Sequence, residues 1–386
     1  MIKQYEDIIH RCFRCGYCKL TQGYTDFNCP PHRAFRFESY SPGGRMWLIR
    51  ALMNQEISNT EHYREILFSC TMCGNCVEHC VFPFKDDLVN IFVAARGDLI
   101  ESGIIPPGVR DFLKNIQLSG NPYKQPAQDR SQWADDMDVP EYTDQEYLLY
   151  VGCVASYDEQ GKKSAKAVAE LLLHAGVSFG ILGQNELCDG NEVRFTGDEA
   201  LFKHLAEQNI DQFSRLGIRK IITVDPHAYN ALKNDYPPLG GEYDVFHYTQ
   251  IVEPLMDTGR FELSEYPAIA TYHDPCYLGR HNNEYDAPRK ILTSVPGLEF
   301  IELDTSGENS LCCGGGGGNF FTDILGSGQN SPARVRIRQA HDAGVNIVAV
   351  ACPMCAKMLA DAVKTEELSD DLEVLDIAEI VNRALH

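Results

Sequence analysis

Eight cysteines crowd the first 80 residues at two- and three-residue intervals, apart from one longer gap within the first cluster and one between the two clusters. Thiols packed that closely make the backbone turn around whatever they hold in common. Seven more follow at Cys153, Cys188, Cys276, Cys312, Cys313, Cys352 and Cys355, for fifteen in all. Disulfide frameworks belong to small secreted chains. This chain has 386 residues, enough for two or three cores. Its first residues, MIKQYEDIIHRCFRCGYC, lack the apolar stretch and small-residue cleavage site of a signal peptide. Clustered thiols in such a chain point to metal. The formal net charge of −21 argues against nucleic acid and anionic membrane surfaces as partners. No apolar run is long enough to cross a membrane.

The head clusters read Cys12-x2-Cys15-x2-Cys18, ten residues, Cys29-Pro30, and then Cys70-x2-Cys73-x2-Cys76-x3-Cys80. The second has the bacterial ferredoxin spacing, in which three thiolates wrap one cubane and the fourth belongs to the other cluster. One cubane 4Fe–4S cluster is therefore assigned to Cys12, Cys15, Cys18 and Cys80. The other is assigned to Cys70, Cys73, Cys76 and Cys29. Two structural zinc sites are the alternative, but zinc usually takes paired CxxC or Cys/His sets, so the triple spacing favours iron–sulfur.

Apolar periodicity predicts a helix over 44–67 and another over 86–100, ended by Pro106 and Pro107. Periodicity then fails over 118–146, a polar, proline-bearing stretch read as a linker or wrapping segment. From Tyr147 short apolar strands alternate with helices, the pattern of parallel βαβ units. After Glu265 the pattern restarts. Aligning Cys153 with Cys276 places Cys188 on Cys312, Asp189 on Cys313 and Asp225 on Cys352, with an offset drifting from 123 to 127 residues. The expected domains are 1–117, a linker 118–146, and tandem repeats 147–262 and 263–386. The expected fold is mixed α+β and α/β: an α-helical two-cluster ferredoxin-like head followed by two α/β domains with parallel sheets.

In the second repeat Cys276, Cys312, Cys313, Cys352 and Cys355 fall at strand ends or in the loops after them, where parallel sheets build their sites. Five thiols exceed what one cubane needs. The pattern Cys-x35-Cys-Cys-Gly-x37-Cys-Pro-x-Cys, with YHDPCYLGR and ACPMCAKML, resembles the cysteine-rich CCG domain of heterodisulfide reductases. That family includes their B and D subunits, iron–sulfur subunits of glycolate oxidase and anaerobic glycerol-3-phosphate dehydrogenase, and the K subunit of a membrane complex linked to sulfite reduction. The two-cubane head resembles the C subunit of these reductases, so the whole chain resembles a fused C–B protein, as in their D subunit; the segment FESYSPGGRMWLIRAL adds to the match. The resemblance implies a noncubane 4Fe–4S cluster held by Cys276, Cys312, Cys313, Cys352 and Cys355. The first repeat keeps only Cys153 and Cys188, with Asp189 for the second cysteine of the pair and Asp225-Pro226-His227-Ala228 for the final CxxC. Two readings stand for it: a degenerate structural domain, or an ion such as zinc on Cys153, Cys188 and His227 or Asp225.

His273 and His281 lie near Cys276, and His273 is the candidate proton donor to a sulfur substrate. The run GGGGG after Cys313 lacks the Lys-Ser/Thr of a phosphate loop. The chain reads as an electron-transfer subunit of a heterodisulfide reductase-like complex, linking two cubanes and a noncubane cluster. The alternative is the catalytic subunit of a disulfide-type reductase that binds substrate sulfur at the noncubane cluster. A flavoprotein or other redox subunit is the expected partner, docking to a membrane subunit is compatible, and the expected location is the cytoplasm of an anaerobe.

Overall fold

The runs YLLY, KIIT and IVAV carry little but β-branched, leucine and aromatic side chains, and each becomes a strand buried on both faces, as strands inside parallel sheets are. In the computed structural model, which describes residues 1–23 and 26–385, these belong to two sheets of identical topology. The first contains β1 (Tyr147–Tyr150), β2 (Phe179–Gly180), β3 (Lys220–Thr223) and β4 (Asp244–His247), in the order β2-β1-β3-β4. The second contains β5 (Ala268–Tyr272), β6 (Leu298–Phe300), β7 (Ile347–Val350) and β8 (Glu373–Asp376), in the order β6-β5-β7-β8. Every pairing is parallel. In both sheets the strand order reverses between the two central strands, and the crevice beyond their carboxyl ends is where such sheets bind ligands. Cys153 and Asp225 follow β1 and β3; Cys276 and Cys352 follow β5 and β7.

The two repeats share a core. Helix Ile377–Leu385 turns its apolar face toward helix Glu159–His174, and Asn382 Nδ2 donates to Ala167 O at 3.0 Å. Tyr248 Oη donates to Asp376 Oδ1 at 2.5 Å, both fully buried. Burial lifts the Asp376 carboxyl to about 7, against hydrogen bonds from Tyr248 and the Ala378 amide. The folded chain therefore holds a proton that the unfolded chain releases near pH 4. Stability from this group is present below pH 4 and is lost as pH rises toward 7. Asp376→Asn is expected to flatten that slope, read as a smaller fall in urea midpoint between pH 5 and pH 7.5 than in the unaltered chain.

The head is helical. The single helix expected over 44–67 is two, Pro42–Met53 and Glu61–Phe68. Gln55 breaks it with φ of +60°, and Thr60 starts the second, its Oγ1 accepting from the Tyr63 amide at 3.1 Å. The segment 118–146 contains a 3₁₀ helix, Ala127–Ala134, that buries Arg130 and Trp133. Beyond it, Glu141 makes a parallel bridge to Ile181 beside β2.

Head and repeats are joined by backbone contact. An added Cβ at Gly197 would lie 2.6 Å from the Gly97 nitrogen, so a helix of the head runs directly against the first repeat. Arg96, on helix Leu88–Glu101, is fully buried and donates to Leu67, Phe68 and Cys70 carbonyls of the head, to Phe195 O of the first repeat and to Gly317 O of the second.

Candidate functional site

The five cysteines of the second repeat meet in one buried place. Cys276 follows β5, Cys312 and Cys313 lie in the loop before the glycine run, and Cys352 caps helix Pro353–Thr365, where its sulfur accepts from the Cys355 amide at 3.5 Å. Cys276 Sγ lies 3.8 Å from Cys312 Sγ, and Cys355 Sγ lies 3.4 Å from Cys313 Sγ. None is more than 6% exposed. Their protons are unevenly shared. Hydrogen bonds from Cys312 and Cys355 hold the Cys313 thiol well below its ordinary range, against burial. Burial opposes ionisation of Cys352, but donors on Cys355 and His227 bring it down to about 7. Hydrogen bonding to Cys312 and burial push Cys276 well up.

His273 is also fully buried and lies with Cys313 and Cys355, the three ligating atoms within 4.8 Å of one another. Burial, with Arg336 and Arg280, lowers its pKa to about 3, so the ring is neutral, and among the described residues neither nitrogen has a hydrogen-bond partner. A crowd of sulfurs beside an unpartnered neutral imidazole is a donor set suited to a thiophilic metal such as iron. A cavity of about 340 Å³ reaches Cys313 from outside, walled by Phe320, Leu325, Met358 and the charged Arg334 and Lys357.

The glycine run has a steric reason that the sequence alone does not reveal. An added Cβ at Gly316 would lie 2.6 Å from Thr71 O, and one at Gly317, where φ is +63°, would lie 2.5 Å from Cys70 O. The loop therefore presses its backbone against the head's cysteine loop. Backbone N–H groups also turn to sulfur: the Gly314 amide donates to Cys312 Sγ at 3.3 Å.

Across this contact stand the cysteines of the head. One cavity is lined by Cys29, Cys70, Cys73 and Cys76, with Cys18 at its edge. Cys18 is pushed up by burial and by its neighbours Cys29, Cys80 and Cys12, and Cys80 by burial and by Cys15 and Cys12. The two groups read from the spacing thus stand side by side. Cys73 hydrogen-bonds Cys312 of the second repeat, and Thr71 Oγ1 lies 3.9 Å from Cys312 Sγ. Arg280 spans the same seam: Nε donates to Cys73 O at 2.7 Å and Nη1 to Ser310 O at 2.7 Å, while Nη2 is buried without a partner among the described residues. His281 meets Met72 O at 2.8 Å through Nε2, so it ties the head to the second repeat by its backbone. Arg280 and Thr71 carry no motif, and nothing short of the docked structure marks them.

The first repeat is arranged differently. The expected zinc set of Cys153, Cys188 and His227 or Asp225 is divided between two places. Cys188 donates a hydrogen bond that lowers the Cys153 thiol, and Arg130 Nη2 stands 3.5 Å from Cys153 Sγ. Arg130 is paired with buried Glu186 at 2.9 Å, so a cation from the wrapping segment already occupies that corner. Asp225 and His227 instead converge on Cys352 of the second repeat, with ligating atoms within 4.8 Å of one another.

The comparisons agree with this layout. Residues 8–82 match the 4Fe-4S dicluster domain family, and residues 147–233 and 270–360 each match the cysteine-rich CCG domain family. The chain is 35% identical to the EtfAB:quinone oxidoreductase of Syntrophomonas wolfei, over 83% of this chain and 47% of that protein. It is 30% identical to the D subunit of the dihydromethanophenazine:CoB--CoM heterodisulfide reductase of Methanosarcina barkeri, over 97% of this chain and 93% of that protein. The chain spans about half the length of the quinone oxidoreductase and of two further iron–sulfur relatives. A crystal structure of a hypothetical protein from Helicobacter pylori shares the fold, with a TM-score of 0.54 at 12% identity, over 89% of this chain and 68% of that one. Among the described residues no helix is long and apolar enough to cross a membrane. A dicluster head, two cysteine-rich repeats in fixed order and near full-length similarity place the chain in one family: it belongs to the iron–sulfur proteins of the heterodisulfide reductase D-subunit type.

Proposed function

We propose that the chain is an electron-transfer subunit of a multi-subunit redox complex. In this reading Cys12, Cys15, Cys18 and Cys80 hold one cubane, and Cys29, Cys70, Cys73 and Cys76 hold the second. Cys276, Cys312, Cys313, Cys352 and Cys355 hold a noncubane four-iron cluster. When bound, these groups supply one-electron chemistry. The protein's own part is to fix the donors, keep water from them and join the head to the second repeat without a gap. The observation that carries this reading is the seam: Cys73 hydrogen-bonds Cys312, and Arg280 holds both loops by their carbonyls. Relatives of the chain are named as heterodisulfide reductase and EtfAB:quinone oxidoreductase components, so a flavoprotein or another redox subunit is the partner class to seek.

The cavity at Cys313 favours a second reading, in which a sulfur substrate enters there and the chain is the catalytic subunit. Under it His273, neutral and without a partner among the described residues, would orient the substrate or take a proton from it rather than deliver one. Anaerobic purification is expected to yield about twelve irons per chain, from two cubanes and one further four-iron centre. Iron near eight, with zinc, would overturn the noncubane assignment. Reduced viologen and a panel of disulfides then separate the readings. Turnover by the isolated chain supports the reductase. No turnover, together with cluster reduction by a copurified flavoprotein, supports the relay.

A further inference from the structure

In the repeat alignment Asp225 and Cys352 are equivalent, and each caps the helix that follows the third strand of its sheet. The structure brings these two equivalent corners face to face. Asp225, His227 and Cys352 are all buried, at 4%, 5% and 0% exposure. Their ligating atoms lie within 4.8 Å of one another.

His227 is held as a metal-binding imidazole is held. Its Nδ1 lies 2.7 Å from Glu192 Oε1, its backbone amide donates to Asp225 Oδ1 at 2.9 Å, and its ring packs on Tyr277 at 4.2 Å between centroids. The other oxygen of Glu192 accepts from the Gly318 amide at 2.5 Å, the last of the glycine run. One buried carboxylate thus fixes both the histidine of the first repeat and the loop that carries Cys312 and Cys313. With Nδ1 engaged by Glu192, Nε2 is the nitrogen left to face Cys352. A carboxylate on one imidazole nitrogen, fixing the tautomer and raising the basicity of the other, is the usual outer support of a metal-bound histidine.

Charge supports the same placement. Two carboxylates and a sulfur surround the ring. Burial opposes a positive ring, yet Glu192 and Asp225 outweigh it and hold the imidazole well above its ordinary pKa. The corner therefore draws positive charge, from a proton on the free chain or from a metal on the loaded one.

We propose that His227 is an iron ligand of the second repeat's centre, binding through Nε2 beside Cys352 and oriented by Glu192, so that the degenerate first repeat completes the ligand set of the intact one. The proposal rests on the reading that the five cysteines hold a cluster. It gives the first repeat a task that its lost cysteines would otherwise deny it. Replacing thiolate by imidazole removes negative charge from a cluster and raises its potential, so the centre would be more easily reduced than an all-cysteine one.

The test uses the full chain, purified anaerobically with ¹⁵N-labelled histidine and poised where the third centre is paramagnetic. Electron–nuclear double resonance is expected to show one directly bonded ¹⁵N. It should vanish in His227→Gln and persist in His273→Gln, and Glu192→Gln should shift the centre's midpoint potential upward while keeping it. A third-centre signal without bonded ¹⁵N, or a coupling that survives His227→Gln, overturns the proposal; the labelled unaltered chain decides this even if a variant fails to fold. About eight irons and no third signal would overturn the five-cysteine reading itself, and the proposal with it.

Discussion

Arg96→Met is expected to lower stability by about 3–5 kcal/mol and to loosen the head from both repeats. The guanidinium is fully buried and donates to five carbonyls, those of Leu67, Phe68, Cys70, Phe195 and Gly317. Burial lowers its pKa to about 10, so it remains charged at neutral pH. Methionine restores much of the volume but none of the donors. A buried acceptor left without a donor costs about 1–3 kcal/mol, and here several lose theirs together. Relaxation and water entry reduce the sum, which sets the expected range below simple addition. Urea unfolding measures the loss. Hydrogen exchange should rise first at 66–72 and 312–318, the two loops that the cation joins. An unchanged midpoint and unchanged exchange would mean that the head docks by apolar packing alone.

Cys313→Ala should remove the third centre and leave about eight irons, with the head's spectroscopic signals intact. Cys313 is the thiol most readily ionised in the set, held down by donors on Cys312 and Cys355. It also stands at the mouth of the cavity, and both of those sulfur partners belong to the second repeat. Cys312→Ala differs in kind. Cys312 hydrogen-bonds Cys73 and neighbours Thr71 Oγ1 at 3.9 Å. Its loss should disturb the signal assigned to Cys29, Cys70, Cys73 and Cys76 as well. Iron analysis and low-temperature electron paramagnetic resonance on both variants check this. Twelve irons retained in Cys313→Ala would remove Cys313 from the ligand set.

The cysteines of the second repeat and of the head show how far a linear pattern reaches. Cys276, Cys312, Cys313, Cys352 and Cys355 are legible because strand-to-helix turns of a parallel sheet deliver their loops to one end, whatever the packing elsewhere. The head cysteines are legible because their spacing is itself the geometry of wrapping. The region 44–67 reads as one helix because its apolar periodicity runs on past Gln55, where a single left-handed residue ends the ladder.

The sequence by itself determined the repeat, the alternation of strand and helix within each half and the grouping of thiols, since these follow from periodicity and from spacing over a few residues. Tertiary structure alone decided which half each side chain serves. Asp225 and His227 lie in the first repeat's chain but in the second repeat's site, because two equivalent helix starts meet across a pseudo-symmetric interface. Arg96, Arg130 and Arg280 read as ordinary surface cations. They are buried because each satisfies carbonyls or a carboxylate from segments distant in sequence, and no local propensity encodes such a meeting.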